Sequence, residues 1–467
     1  MLFVAIRGAL VAPLFFPMND SRVFDAEPAL EAFRRAAGSV PAYRTILNEA
    51  RVNVASIQTA NDFSTLPVLE KAGTFQRFGI AELCRDGQLG RLGSVLTSSG
   101  HSGIFAFGLN DLESTAATAA WIDDLLDFLF EVRSKPTLLI NCLPMGVKVP
   151  SQACTLAETS VRSDMAVGLV KALGSHFFQV ILIGDAAFLK NLLESGRRSG
   201  VDWTAMRVHV IAGEEPLAEN ARRYLGDLLG TDGTEPDKGI IASSMGVAEV
   251  GLNLFSEVPP VAPLIRLRRL LHDDRGLRQR VFGNRVFVPS LFTYDPRRIF
   301  VEFDATGRLI VTTLEPSLRI PLIRYATGDH GGFLDLPNAI KPDLESHGLS
   351  WETLQRIPIV AIAGRGEHAS AGDSPVYPEA VKEGIYADRR LAALITANFR
   401  IVSGPGAVRI RIQLSPGVLR TEEIERDFLA AISHYVTAPM TVTCEPYETF
   451  VSGMALDYER KFNYLSA

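Results

Sequence analysis

Between about residue 137 and residue 250 the chain alternates apolar runs of strand length with amphipathic stretches of helical length, and this alternation leaves few folds open. "TLLINCLP" predicts a buried strand, "VRSDMAVGLVKALG" a helix closed by Gly174, and "FQVILIG" a second strand. "DAAFLKNLLESG" predicts a helix closed by Gly196, and "MRVHVIAG" a third strand. "LAENARRYLGDLLG" sets Leu217, Ala221, Tyr224, Leu225 and Leu228 on one helical face, and "GIIAS" supplies a fourth strand. A βαβαβαβ series implies an α/β protein whose parallel sheet is covered by helices. A chain of 467 residues exceeds what one hydrophobic core serves, so more than one domain is expected.

In such sheets ligands sit outside the carboxyl ends of the strands. The residues there are Pro144-Met145-Gly146, Gly184-Asp185, Gly213-Glu214-Glu215-Pro216 and Ser243-Ser244-Met245-Gly246, with Glu249 close behind. Each alone is ordinary turn chemistry; together they point to a ligand crevice. Upstream, Ser98-Ser99-Gly100-His101-Ser102-Gly103 lies between the strand-like runs "RLGSVLT" and "IFAFG", and a helix starts only at the N-cap Asp111. This is no Walker loop, because it lacks GK[ST] and does not open a helix. Its glycines and serines can still turn backbone N–H groups and hydroxyls toward phosphate oxygens. A hairpin turn of small residues is the alternative.

The order and spacing of these stretches resemble the adenylate-forming acyl-CoA synthetases, in particular the phenylacetate-CoA ligase branch. "VPAYRTILNEARVNVASIQTANDFSTLPVLEK" is similar to that branch's N-terminal segment, and "SSGHSG" stands in place of its Ser-Ser-Gly-Thr-Thr-Gly phosphate loop. "AGEEPL" resembles the adenine-side turn, "MGVAE" the Tyr-Gly-x-Thr/Ser-Glu motif, and "RYATGD" the Tyr-x-Thr-Gly-Asp motif. "AGRGEH" resembles the Gly-Arg hinge, and "YPEAVKEGIY" the helix that opens a small C-terminal domain. The resemblance implies a large adenylation domain over residues 1–363 with parallel sheets covered by helices, and a small mobile α+β domain over 364–467.

It also implies roles. Ser98, Ser99, Gly100, His101, Ser102 and Gly103 would hold the ATP phosphates, and Gly213, Glu214, Glu215, Pro216, Met245 and Gly246 would border the nucleotide. Glu249 would hold Mg²⁺, a cation that takes one or two carboxylates alongside phosphate oxygens. Asp329 would bind the ribose hydroxyls and Arg365 the ribose or phosphate. Lys461 would bridge carboxylate and α-phosphate as charge gathers on both; a frayed cationic tail is its alternative. The other lysine past the hinge, Lys382, is expected on a solvated helix face. Met145, Val147 and Gly184 would border the acid, and an apolar lining suits a planar aromatic one.

The implied reaction is attack of a carboxylate on the α-phosphorus of ATP, loss of pyrophosphate, and transfer of the acyl group to coenzyme A. An amine, a carrier-protein thiol or nitrite activation for an aryl amine are alternative second steps, and a non-catalytic nucleotide-binding member is a third reading. The chain departs from the pattern at His101 and Ser102 for Thr-Thr, Met245 for an adenine-stacking tyrosine, and Ala248 for a hydroxyl.

A net charge of −6 gives no reason to expect a nucleic-acid surface. "RLRRLLHDDRGLRQR" breaks that average, as a solvated helix face or a patch for a phosphorylated cofactor. Cys84, Cys142, Cys154 and Cys444 show neither CxxC nor zinc spacing, which suits a reducing, cytoplasmic compartment without a structural metal. Arg7 and two prolines interrupt the apolar opening, which fits a segment packed on the fold or residues ahead of a start at Met18 better than a signal peptide. No other apolar run has the length to span a membrane.

Overall fold

The computed structural model describes residues 26–98, 103–257, 263–454 and 456–466. The N-terminal apolar opening therefore lies outside the described residues, as do Ser99, Gly100, His101 and Ser102.

β1 (Leu92–Thr97) and β2 (Phe107–Asp111) form an antiparallel hairpin, and Asp111 then caps the helix Leu112–Phe130 by accepting from the Ser114 N–H at 2.8 Å. β3 (Thr137–Asn141), β4 (Thr155–Glu158), β5 (Gln179–Asp185), β6 (Val208–Gly213) and β8 (Gly239–Val247) follow, with the short β7 (Thr234–Glu235) paired to β8. They lie parallel in the order β4-β3-β5-β6-β8. The four expected strands and the three helices between them are all present, the helices at Ser163–Leu173, Ala186–Arg198 and Glu219–Leu229, although the second runs on through Gly196, expected to close it, to Arg198. β4 was not legible, because a four-residue edge strand shows no apolar period.

The sheet does not stay parallel. β9 (Gly251–Ser256) folds back on β8, and β10 (Ser290–Tyr294), β11 (Ile299–Phe303), β12 (Arg308–Thr313), β13 (Tyr325–Phe333) and β14 (Ile359–Gly364) extend it as β9-β10-β14-β13-β12-β11, every pair antiparallel. The large sheet is therefore mixed, its parallel half being the one that the sequence predicts. The reason is connection length: the turn Asp304–Gly307 between β11 and β12 cannot make a parallel crossover.

Beyond β14 come the β15 (Ala369–Ala371) and β16 (Ser374–Val376) hairpin, the helix Pro378–Ile385, β17 (Ile395–Val402), β18 (Val408–Leu414), the helix Glu422–Ser433, β19 (Met440–Glu445) and β20 (Leu465–Ser466). A small mixed sheet, β19-β18-β17-β20, results, with the "GPGAV" turn joining β17 to β18. Its hydrophobic core is continuous with that of the parallel half, through contacts such as Phe188 with Tyr458 and Tyr224 with Tyr386.

The basic stretch is a solvated face only in part: Arg266, Arg275 and Arg280 are exposed, and other arginines turn inward. Arg268 is buried on the helix Pro263–Asp273 and pairs with Glu219 at 3.4 Å, and Arg269 pairs with Glu219 at 3.1 Å. The segment "LPNAIKPDLESHGLSWETLQRIP" is packed: Leu336, Ile340, Leu344, Leu349 and Leu354 are buried in one cluster with Leu264, Leu267 and Leu271. Among the described residues no helix is long and apolar enough to cross a membrane.

Candidate functional site

At the carboxyl ends of the parallel strands, where they meet β9, β13 and β14, lies a cavity of about 240 Å³. Ser98, Met145, Val147, Gly213, Glu214, Glu215, Pro216, Met245, Gly246, Glu249, Asp329, Arg365 and Lys461 all line it. Two expected residues stand elsewhere. Gly184 packs against Cys142 and Leu189, and Gly103 is exposed with a φ of +76°.

The turns that bring these residues in are tight. Met145 and Glu214 hold φ at +59° and +70°, a region that non-glycine residues enter rarely. Glu214 lies 3.7 Å from Lys461, whose segment otherwise belongs to the small sheet. Arg365 sits between Gly364 and Gly366, both at positive φ, and a Cβ on Gly364 would run into the Glu379 carboxylate. Only glycine fits there.

Asp329 lies within β13, partly buried, and its carboxylate accepts from the Thr327 hydroxyl at 3.0 Å. Burial pushes its pKa up, and the charges of Lys461 and Arg365 pull against that. The three side chains come from β13, the end of β14 and the C-terminal segment, and they act on one another electrostatically.

Glu249 is buried; its Oε1 accepts from Tyr325 Oη at 2.6 Å and lies 3.5 Å from Lys71 Nζ. Lys71 lines the same cavity and was not singled out by the motifs, which offered it only as the last residue of a long segment. Its position follows from backbone pairing: Leu69 donates to Arg324 O and Ala326 donates to Leu69 O, both at 2.9 Å, which ties the segment to β13.

Ser98 is buried at the base of the loop, where its N–H donates to Ala106 O and its Oγ accepts from Ala106 N–H, each at 2.9 Å. The hydroxyl hydrogen stays available to a ligand.

Lys382 corrects an expectation. It is not solvated: its Nζ donates to Glu215 Oε2 at 2.5 Å and lies 4.2 Å from the centroid of the Tyr464 ring. Tyr464 Oη also donates to Glu215 Oε2, at 2.8 Å. The Glu215 carboxylate therefore serves the contact with the small domain. Burial opposes its charge, yet Lys382 and Tyr464 hold its pKa below the ordinary value.

No protein-family model and no curated protein sequence matches the chain. Solved structures do. A 2-hydroxyisobutyryl-CoA ligase in the postadenylation state, in complex with R3-HIB-AMP, aligns with a TM-score of 0.69 at 12% identity, over 97% of this chain and 91% of that one. The same ligase in that state with 2-HIB-AMP gives 0.67 at 13% identity, over 94% and 88%. In the thioesterification state with 2-HIB-AMP and CoA it gives 0.55 at 12% identity, over 97% and 91%. Over nearly its whole length the chain shares the fold of that ligase.

Proposed function

We propose that the protein activates a carboxylic acid with ATP, forming an acyl-adenylate and pyrophosphate, and passes the acyl group to the thiol of coenzyme A. The observation that carries this reading is the convergence of Asp329, Arg365 and Lys461 on one cavity with an apolar pocket alongside. The motif order supports the phenylacetate-CoA ligase branch, and the place of Lys461 in the cavity wall, 3.7 Å from Glu214, supports its role.

In this reading Asp329 accepts from the ribose hydroxyls and Arg365 holds the ribose or α-phosphate. Lys461 sets its ammonium between the acid's carboxylate and the α-phosphate, so it meets charge as charge develops. The carboxylate oxygen forms a bond to the α-phosphorus, the bond from that phosphorus to the bridging oxygen breaks, and the pair leaves with pyrophosphate. Glu249 fits a magnesium ion that takes its remaining ligands from phosphate and water. Among the described residues no cluster of three acidic, histidine or cysteine side chains competes for that role. Bound there with ATP, magnesium supplies charge neutralisation on the phosphates. Lys71 adds a second cation beside the same carboxylate.

The test is pyrophosphate release from ATP with a panel of carboxylic acids, with and without coenzyme A. Lys461→Ala is expected to lower acid-dependent release by about 10²-fold or more, and release at the wild-type rate would refute its role. Acid-dependent release without any thioester would remove coenzyme A as the acceptor.

A further inference from the structure

Five residues of the helix Leu112–Phe130 line the cavity: Ile122, Leu125, Leu126, Leu129 and Phe130. Their spacing of i, i+3, i+4, i+7 and i+8 makes one apolar stripe. From Ile122 to Phe130 the helix rises about 12 Å. It starts beside the β1–β2 hairpin, where Thr115 Oγ1 lies 3.3 Å from Ser94 Oγ. It ends at the opposite edge of the sheet, where Phe130 O accepts from Gln179 Nε2 at 2.8 Å, on the first residue of β5. The pocket thus runs from the carboxyl edge down between helix and sheet, with Ile183, Ile211 and Ala242 as the sheet wall.

Its floor carries no charge. The Phe130 ring lies 4.3 Å from that of His209, which is fully buried. His209 Nδ1 accepts from the Ile240 N–H at 3.1 Å, which leaves Nε2 to donate to Gln179 Oε1 at 3.2 Å. Burial, helped by Arg207 and Lys135, pushes its pKa down to about 3, so the imidazole is neutral. The helix's buried carboxylate, Asp123, is taken by Ser151 Oγ at 2.5 Å and the Gln152 N–H at 2.9 Å. No charged cavity residue lies on this helix or within β5 or β6.

Resting on the acid-activation reading above, the geometry points to a saturated, unsubstituted monocarboxylic acid of about eight to ten carbons, its alkyl chain laid along the stripe. An extended chain gains roughly 1.3 Å per methylene, so about nine carbons cover the stripe. A benzoate leaves its lower half empty, and a second carboxylate finds no cation along the stripe.

The experiment measures kcat/KM for pyrophosphate release by the full chain with linear acids of two to fourteen carbons, benzoate, a short 2-hydroxy acid and an eight-carbon dicarboxylate. In parallel, calorimetry measures binding of decanoate without ATP. The expected result is a gain of about fourfold per methylene up to eight to ten carbons, with the dicarboxylate at least 100-fold below octanoate. Leu126→Trp should move the optimum to shorter acids. Release that favours benzoate or the hydroxy acid over every linear acid overturns the substrate class and leaves the activation reading standing. Decanoate binding without release from any acid keeps the pocket assignment and overturns the activation reading. Neither binding nor release overturns both, and the wild-type series decides this even if Leu126→Trp does not fold.

Discussion

Glu249 shows how much of a residue's setting comes from afar. Its place in "MGVAE" marked it as a site carboxylate, yet the groups that hold it, Tyr325 at 2.6 Å and Lys71 at 3.5 Å, arrive from β13 and from the segment tied to β13. Tyr325→Phe removes the buried donor and leaves Glu249 free to turn toward Lys71. Groups that orient a metal-binding carboxylate are worth roughly 10- to 100-fold in affinity or activity. The expected outcome is a rise of about tenfold in the magnesium concentration that half-saturates pyrophosphate release, with the fold intact by circular dichroism. Short motifs brought Asp329 and Arg365 to the cavity, and position near the C-terminus brought Lys461. The setting of Lys382 was not legible, because its partner Glu215 is distant in sequence and helical spacing alone places a lysine on the outside.

Elements also borrow their ends from one another. The helix Glu219–Leu229 has Ala218 at its N-cap and no side-chain cap of its own. Instead Glu383, on the helix Pro378–Ile385, accepts from the N–H groups of Glu219 at 2.8 Å and Asn220 at 3.0 Å. The same carboxylate lies 3.8 Å from Arg268 and 3.4 Å from His272. Burial opposes its ionisation, and His272, Arg268 and the Asn220 N–H together pull its pKa to about 2. Glu383→Ala leaves two helix N–H groups without an acceptor and takes one of their carboxylate partners from Arg268 and His272, which keep Glu219 and Asp273. A loss of about 3–5 kcal/mol is expected from urea unfolding, with a smaller loss for Glu383→Gln, which keeps an acceptor. The local cap Asp111 could be read from its neighbours, whereas a cap supplied by another domain leaves no local mark.

At the scale of the whole molecule, the junction of the two domains carries a pH dependence. Burial pushes the His272 pKa down, but Asp273 at 3.3 Å, Glu383 at 3.4 Å and the charge of Glu219 overcome this and raise it to about 9. A pKa raised on folding stabilises fully below the unfolded value of about 6.5, and the gain is lost as pH rises through the folded value. Stability should therefore fall between about pH 6.5 and pH 9, by on the order of 3 kcal/mol. Urea unfolding at fixed pH values checks this; His272→Gln should flatten the profile in that window, and an unchanged slope would remove the histidine from the account.

The sequence by itself determined four strands of the parallel half of the sheet, the three helices between them and the motif residues that line the cavity. All of these rest on local physics: apolar periodicity, caps, and turns that admit few residues. Tertiary structure alone decided the antiparallel half, the burial of Lys382 and Arg268, the Lys71 and Tyr325 partners of Glu249, and the uncharged depth of the pocket along the helix stripe. A stripe of leucines looks the same in sequence whether it packs against a sheet or borders a cavity. Charges buried across a domain junction show only when the partners that compensate them are brought together.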